Sequence, residues 1–163
     1  MRTLVVYYSL EGNTECIAKA VASRIDADIE RLETKKKIKA DEFMNYYWGG
    51  KKDRPSKKVP LKGQRYDPNE YDLIFIGTPV WAWAPAPPIY SYITDRNIRG
   101  RNIALFSCSE GDPGKTCNKL KRSLEDKNDI IAMKDFVNPV ENETCDLEAG
   151  KWAEKVLKQK LSS

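Results

Sequence analysis

The chain has 163 residues, 40% hydrophobic and 32% charged, with a net charge of +4 and no histidine. That length suits one domain with a substantial core, and no run approaches the ~20 apolar residues of a membrane span. The lack of histidine removes the commonest metal ligand and the usual general base together, so any chemistry rests on a bound cofactor or on carboxylates.

Thr3 to Tyr8 is an apolar, β-branched run that reads as a first strand. Its early start leaves no room for a secretory leader, so a cytoplasmic protein is expected. The four cysteines (Cys16, Cys108, Cys117, Cys145) are then expected as reduced thiols. In that setting the glycosylation pattern Asn142-Glu143-Thr144 is a chance match. After the strand come the short polar residues Ser9 to Thr14, then Ile17, Ala18, Val21, Ala22 and Ile25 at helical spacing. Ala27 to Leu32 alternates as an edge strand.

Between Glu30 and Arg65 there are twelve Lys/Arg against five Asp/Glu, so the basic excess is regional. Within it, Phe43, Met44, Tyr46, Tyr47 and Trp48 form an aromatic helical piece ended by Gly49-Gly50, and Lys51 to Lys58 is a basic loop. The charges read either as a solvated face or as a docking patch for an acidic partner or an anionic ligand tail. A nucleic-acid module is disfavoured, because the adjacent aromatics point in different directions on a helix.

Tyr71 to Gly77 has the continuous apolar run of a strand covered on both faces. Thr78 to Pro85 follows as a loop, and Pro87 or Pro88 fits the first turn of a helix with Ile89, Tyr90 and Ile93 inward. Ile103 to Phe106 is a fourth strand and Ser107 to Asp112 its loop. Asp112 is the expected cap of a helix whose buried side carries Cys117, Leu120 and Leu124. Ile130 to Val137 is a fifth strand. Trp152, Ala153, Val156, Leu157 and Leu161 mark a closing helix. Strands alternating with helices imply parallel βαβ units in one domain spanning residues 1–163. In such sheets ligands bind beyond the carboxyl ends of the strands where the strand order reverses. For the order 2-1-3-4-5 that point lies between the first and third strands, where these loops emerge.

The strand–loop–helix junction at Ser9 to Thr14 aims helix N–H groups at whatever lies over the strand end, which suits an anion such as phosphate. The alternative is that Asn13 or Thr14 only caps the helix. An anion also requires Glu11 to offer its backbone N–H while its carboxylate faces solvent. Trp81 and Trp83 either plug the core or stack on a planar aromatic ligand. Gly111 allows close backbone approach to that ligand or simply makes a turn. Gly114-Lys115-Thr116 is a near miss to a nucleotide-triphosphate loop, since Ser109 stands where glycine is needed.

Ser9-Leu10-Glu11-Gly12-Asn13-Thr14 directly after the first strand resembles the phosphate-binding loop of flavodoxins and related FMN-binding flavoproteins. Gly77-Thr78-Pro79-Val80-Trp81-Ala82-Trp83 resembles the second FMN loop of one flavodoxin-like subfamily, and Ser107 to Thr116 resembles its third. The resemblance implies an α/β three-layer sandwich with a five-stranded parallel sheet of order 2-1-3-4-5 and helices on both faces. It implies FMN, with phosphate contacts from Ser9, Leu10, Glu11, Gly12, Asn13 and Thr14. Ring contacts would come from Thr78, Pro79, Val80, Trp81 and Trp83, with Ser107, Ser109, Gly111 and Asp112 on the far side. The implied role is electron transfer between redox partner proteins by a monomer or weak dimer. The alternative is an FMN-dependent NAD(P)H oxidoreductase acting on quinones or another small acceptor. Two features depart from the well-studied carriers: the positive net charge, and a third loop with no aromatic to cover the outer flavin face.

Overall fold

The computed structural model describes residues 1–37, 39–43, 45, 55, 57–139 and 145–163. Met44, Tyr46, Tyr47, Trp48, Gly49 and Gly50, most of the basic loop, and Asn142-Glu143-Thr144 lie outside the described residues.

Strand β1 (Thr3–Tyr7) leads into helix α1 (Asn13–Ile25), edge strand β2 (Asp28–Arg31) and a short helix α2 (Ala40–Phe43). Then follow β3 (Leu73–Trp81), a two-residue β4 (Ala84–Pro85), α3 (Pro87–Arg96), β5 (Asn102–Ser109), α4 (Thr116–Arg122), β6 (Asp129–Val137) and α5 (Cys145–Leu161). The long strands run parallel in the order β2-β1-β3-β5-β6, with β4 pairing only with β3. With β4 set aside, this is the expected 2-1-3-4-5 arrangement.

Strand periodicity sorts the core into two layers. Leu4, Val6, Ile74, Ile76, Ile103 and Leu105 point to one face, where Ile89 and Tyr92 of α3 and Cys117 and Leu120 of α4 cover them. Val5, Tyr7, Phe75, Ala104, Phe106 and Phe136 point to the other, under Ile17 and Val21 of α1 and Ala149, Ala153 and Val156 of α5. Trp152 packs edge-on to Phe75, Phe106 and Phe136 at 5.5–6.1 Å. Leu161, expected on this stripe, is 66% exposed in the last turn of α5, whose last buried residue is Val156.

Three boundaries differ from expectation, and each shapes the site. β3 continues through Thr78-Pro79-Val80-Trp81 and folds back as a hairpin, with Val80 opposite Pro85 and Trp81 opposite Ala84. Ala82 and Trp83 form its two-residue turn at φ 48° and 60°. Both being left-handed is what a primed hairpin turn requires, usually of Asn or Gly. β5 likewise runs on through Ser109. Helix α4 starts only at Thr116, because Asp112 Oδ1 accepts from Gly114 N in a local turn and Gly114 sits at φ 58°.

Candidate functional site

β1 and β3 are neighbours, but the chain leaves β1 toward β2 and leaves β3 toward β5, so the crevice between their carboxyl ends is the switch point. A cleft of about 220 Å³ lies there, lined by Ser9, Leu10, Glu11, Asn13, Thr14, Ala40, Pro79, Val80, Trp81, Cys108, Ser109 and Glu110. Three separate loops therefore meet on one cavity.

The first wall is the β1–α1 junction. Gly12 precedes the helix at φ 98°, ψ −12°, a conformation that other residues adopt only with strain. No side chain caps α1. Asn13 and Thr14 line the cleft, and the first N–H groups of α1 have no intrahelical acceptor. Ser9 Oγ accepts from Gly12 N at 3.0 Å, which holds the loop shut. Arg31 of the edge strand donates to Ser9 O at 3.2 Å and holds the loop from outside. Thr14 is 1% exposed, and its Oγ1 is buried without a hydrogen-bond partner. Burial pushes the Cys108 thiol up to about 12 against a smaller opposing effect of the Thr14 hydroxyl, yet no hydrogen bond of normal geometry joins the two. An orphaned hydroxyl beside a helix N-terminus fits an anionic oxygen as its partner.

Carboxylates near this junction are managed. Glu11 is exposed. Glu15 is engaged by Lys19 at 3.1 Å and Arg31 at 3.4 Å, and its carboxyl lies below the usual range, chiefly through Lys19. The Tyr7 hydroxyl donates to the same carboxylate at 3.4 Å. Burial, and then the Glu15 charge, push the Tyr7 phenol up to about 12.

The second wall is the β3–β4 hairpin. Trp81 lines the cleft and packs edge-on to Tyr8, with ring centres 5.6 Å apart at 84°. Trp83 does not line it: it is 61% exposed at the hairpin tip, where its carbonyl accepts from Lys119 Nζ at 3.2 Å. Thr78 is buried behind the wall, its Oγ1 accepting from Ala86 N and donating to Pro79 O, so it ties the hairpin base.

The third wall is the end of β5. Ser107 and Ser109 share one face of β5, but Ser107 lies two residues back from the strand end and is fully buried on the α4 side, out of reach of the cleft. There Ser107 Oγ donates to Asp135 Oδ1, with Cys117 Sγ 3.5 Å from the same oxygen. Ser109 does line the cleft, and its hydroxyl donates to Gly111 O at 2.7 Å. Gly111 and Asp112 lie beyond the wall, exposed. Cys108, Glu110 and Ala40 line the cleft without having been singled out in the sequence. Cys108 and Glu110 flank Ser109 at a strand end, a position visible once β5 is extended. Nothing local to Ala40 points to the site.

The cleft joins the N-terminus of α1 to a slot with an indole on its wall, open to solvent at Glu110 and Leu10. A planar molecule with an anionic tail suits it. A family model described as flavodoxin matches residues 2–156. Among solved structures, a flavoprotein in complex with FMN from Lactobacillus acidophilus NCFM is 28% identical, with 93% of this chain and 98% of that chain covered and a TM-score of 0.69. A putative flavoprotein from Bacteroides eggerthii is 20% identical, covering 96% and 98% with a TM-score of 0.70. Oxidised flavodoxin 1 from Bacillus cereus is 16% identical, covering 97% and 98% with a TM-score of 0.60. A search of curated proteins finds no match.

Proposed function

The chain belongs to the flavodoxin family, and we propose that it binds FMN in this cleft and works as an electron carrier between redox partner proteins. The observation that carries the reading is the orphaned Thr14 hydroxyl at a helix N-terminus, on the same cavity as Trp81. The phosphate would be held by the α1 N–H groups with the hydroxyls of Ser9 and Thr14, each bond strengthened by the phosphate charge. Trp81 and the backbone at Pro79–Val80 would orient the planar ring from one side, and the end of β5 from the other. When bound, FMN supplies one- and two-electron redox chemistry; the protein supplies binding, orientation and electrostatics.

The residues on the cleft suit tuning rather than acid–base work. Cys108 is a buried thiol held well above neutrality, so it stays protonated and contributes an apolar, polarisable wall. The indole on the opposite side and the apolar core beneath lower the local dielectric, which disfavours added negative charge on a bound group. This arrangement favours electron uptake in separate one-electron stages.

The alternative is an NAD(P)H-dependent oxidoreductase. A second cleft, lined by Arg31, Lys37, Lys39 and Lys62 and sharing Ser9 and Leu10 with the first, favours it. Purified protein with the absorption spectrum of bound FMN, titrated with dithionite under argon, tests the proposal. Two resolved one-electron stages and slow reduction by NADPH are expected. A single two-electron stage with rapid NADPH reduction would replace the carrier with the oxidoreductase.

A further inference from the structure

Beyond the wall made by Ser9 and Leu10 lies a second cleft of about 670 Å³, lined by Tyr8, Ser9, Leu10, Arg31, Leu32, Glu33, Thr34, Lys37, Lys39 and Lys62. Four of those side chains are cationic and one is anionic. A lysine-rich surface is ordinarily just solvated, but three observations set this one apart. First, it is concave and of the size at which small ligands bind, whereas a docking face for a protein is broader and flatter. Its floor is closed by the buried Tyr8 and Leu32. Its outer rim is built by chain crossing over: Thr34 bridges Leu61, Lys35 N donates to Pro60 O at 3.0 Å and Lys62 N to Glu33 O at 2.8 Å.

Second, its charges are unequally engaged. Arg31 is tied to Glu15 at 3.4 Å, and Lys62 stands 3.6 Å from Glu33. Among the described residues Lys37 and Lys39 have no carboxylate partner. They are exposed on the rim, where an incoming anion can reach them. Third, the two clefts share Ser9 and Leu10 as their partition, and Arg31, which lines the second, holds that partition through Ser9 O. A ligand in the second cleft thus lies directly beside whatever occupies the first.

We propose that this cleft binds a small phosphorylated ligand of the diphosphate class, gripped by Lys37 and Lys39 and backed by Arg31 and Lys62. Its placement beside a redox cofactor rests on the FMN reading; its existence as an anion site does not. The diphosphate could belong to a nucleotide or be free, and the test separates these sources.

FMN-saturated protein is titrated with inorganic pyrophosphate and, separately, with ADP, followed by calorimetry and by amide NMR shifts at low ionic strength. Both probes should bind, with shifts centred on residues 31–39 and 62. Tighter binding of ADP assigns the site to nucleotides, and equal binding to free diphosphate. Lys37→Gln combined with Lys39→Gln should weaken either probe about tenfold or more, by removing charge-assisted hydrogen bonds. FMN affinity and spectrum should not change. Glu33→Gln should act in the opposite sense and tighten the probes, which loss of folding could not mimic. The proposal falls if neither probe binds, if the double variant binds as tightly as the parent, or if shifts spread evenly over all surface lysines. Shifts confined to residues 9–14 would also overturn it, because the probe would then be competing for the phosphate cradle. If the protein takes up no FMN at all, the proposed function fails, while shifts at 31–39 and 62 would still report on the second cleft.

Discussion

Replacing Thr14 by valine separates what the site costs the protein from what it does for a ligand. The side chain is 1% exposed and its hydroxyl has no partner, so in the ligand-free state the protein carries a desolvated polar group. Such a group costs about 1–3 kcal/mol. Thr14→Val keeps the shape, so it leaves no cavity, and removes the orphan. The apo protein should therefore gain stability, by about 1 kcal/mol or somewhat more, read as a higher urea midpoint at unchanged slope. FMN binding should move the other way. A hydrogen bond to a charged phosphate is worth about 1.5–3 kcal/mol, which at about 1.4 kcal/mol per decade is roughly ten- to a hundredfold in Kd. Flavin fluorescence titration of the apo protein measures it, and riboflavin, lacking the phosphate, should be affected far less. A variant that is less stable without ligand and binds FMN as well as the parent would refute the reasoning. The hydroxyl would then be a structural group of the α1 start, and the cradle would have been misassigned.

Trp81→Ala should restore bound-flavin fluorescence and cost about 0.5–1.5 kcal/mol in affinity beyond area loss, whereas Trp83→Ala should leave both nearly unchanged. Equal effects of the two would mean that the hairpin tip closes over the ligand. A Cβ added at Gly77 would sit 2.1 Å from Phe106 Cζ in a ring cluster with Phe136 and Trp152. Gly77→Ala should thus lower the urea midpoint by the equivalent of about 1–3 kcal/mol, and an unchanged midpoint would show that Phe106 moves freely. Burial raises the Cys108 and Cys117 thiols from 9.0 to about 12. The folded state then holds protons that the unfolded state releases, so this stabilisation is complete below pH 9.0 and is lost as pH rises toward about 12. Urea midpoints that stay level across that window would contradict it.

The fold was legible in the sequence because its signals are local and repeated. Apolar runs at Leu4–Tyr8, Leu73–Ile76 and Ile103–Phe106 alternate with helical stripes, and that alternation admits few arrangements besides a parallel sheet with helices on both faces. The first junction was legible too, since the polar break from Ser9 to Gly12 separates β1 from α1 in one contiguous stretch. The limits of β3 and β5 were not. Pro79 and the polar Ser107 and Ser109 look like loop residues, and only pairing with a neighbouring strand makes them extended: Thr78 lies beside Ser107 and Pro79 beside Cys108. That pairing fixes where the strands end, and so which residues reach the cleft. It puts Ser109 on the cleft and Ser107 against Asp135, and Trp81 on the wall and Trp83 at the tip. The second cleft follows the same logic. Its charges could be counted in the sequence, but their concavity arises where residues 33–35 meet residues 60–62 across the chain. A contact between distant segments has no local signature, so only the tertiary structure could turn a basic stretch into a cleft.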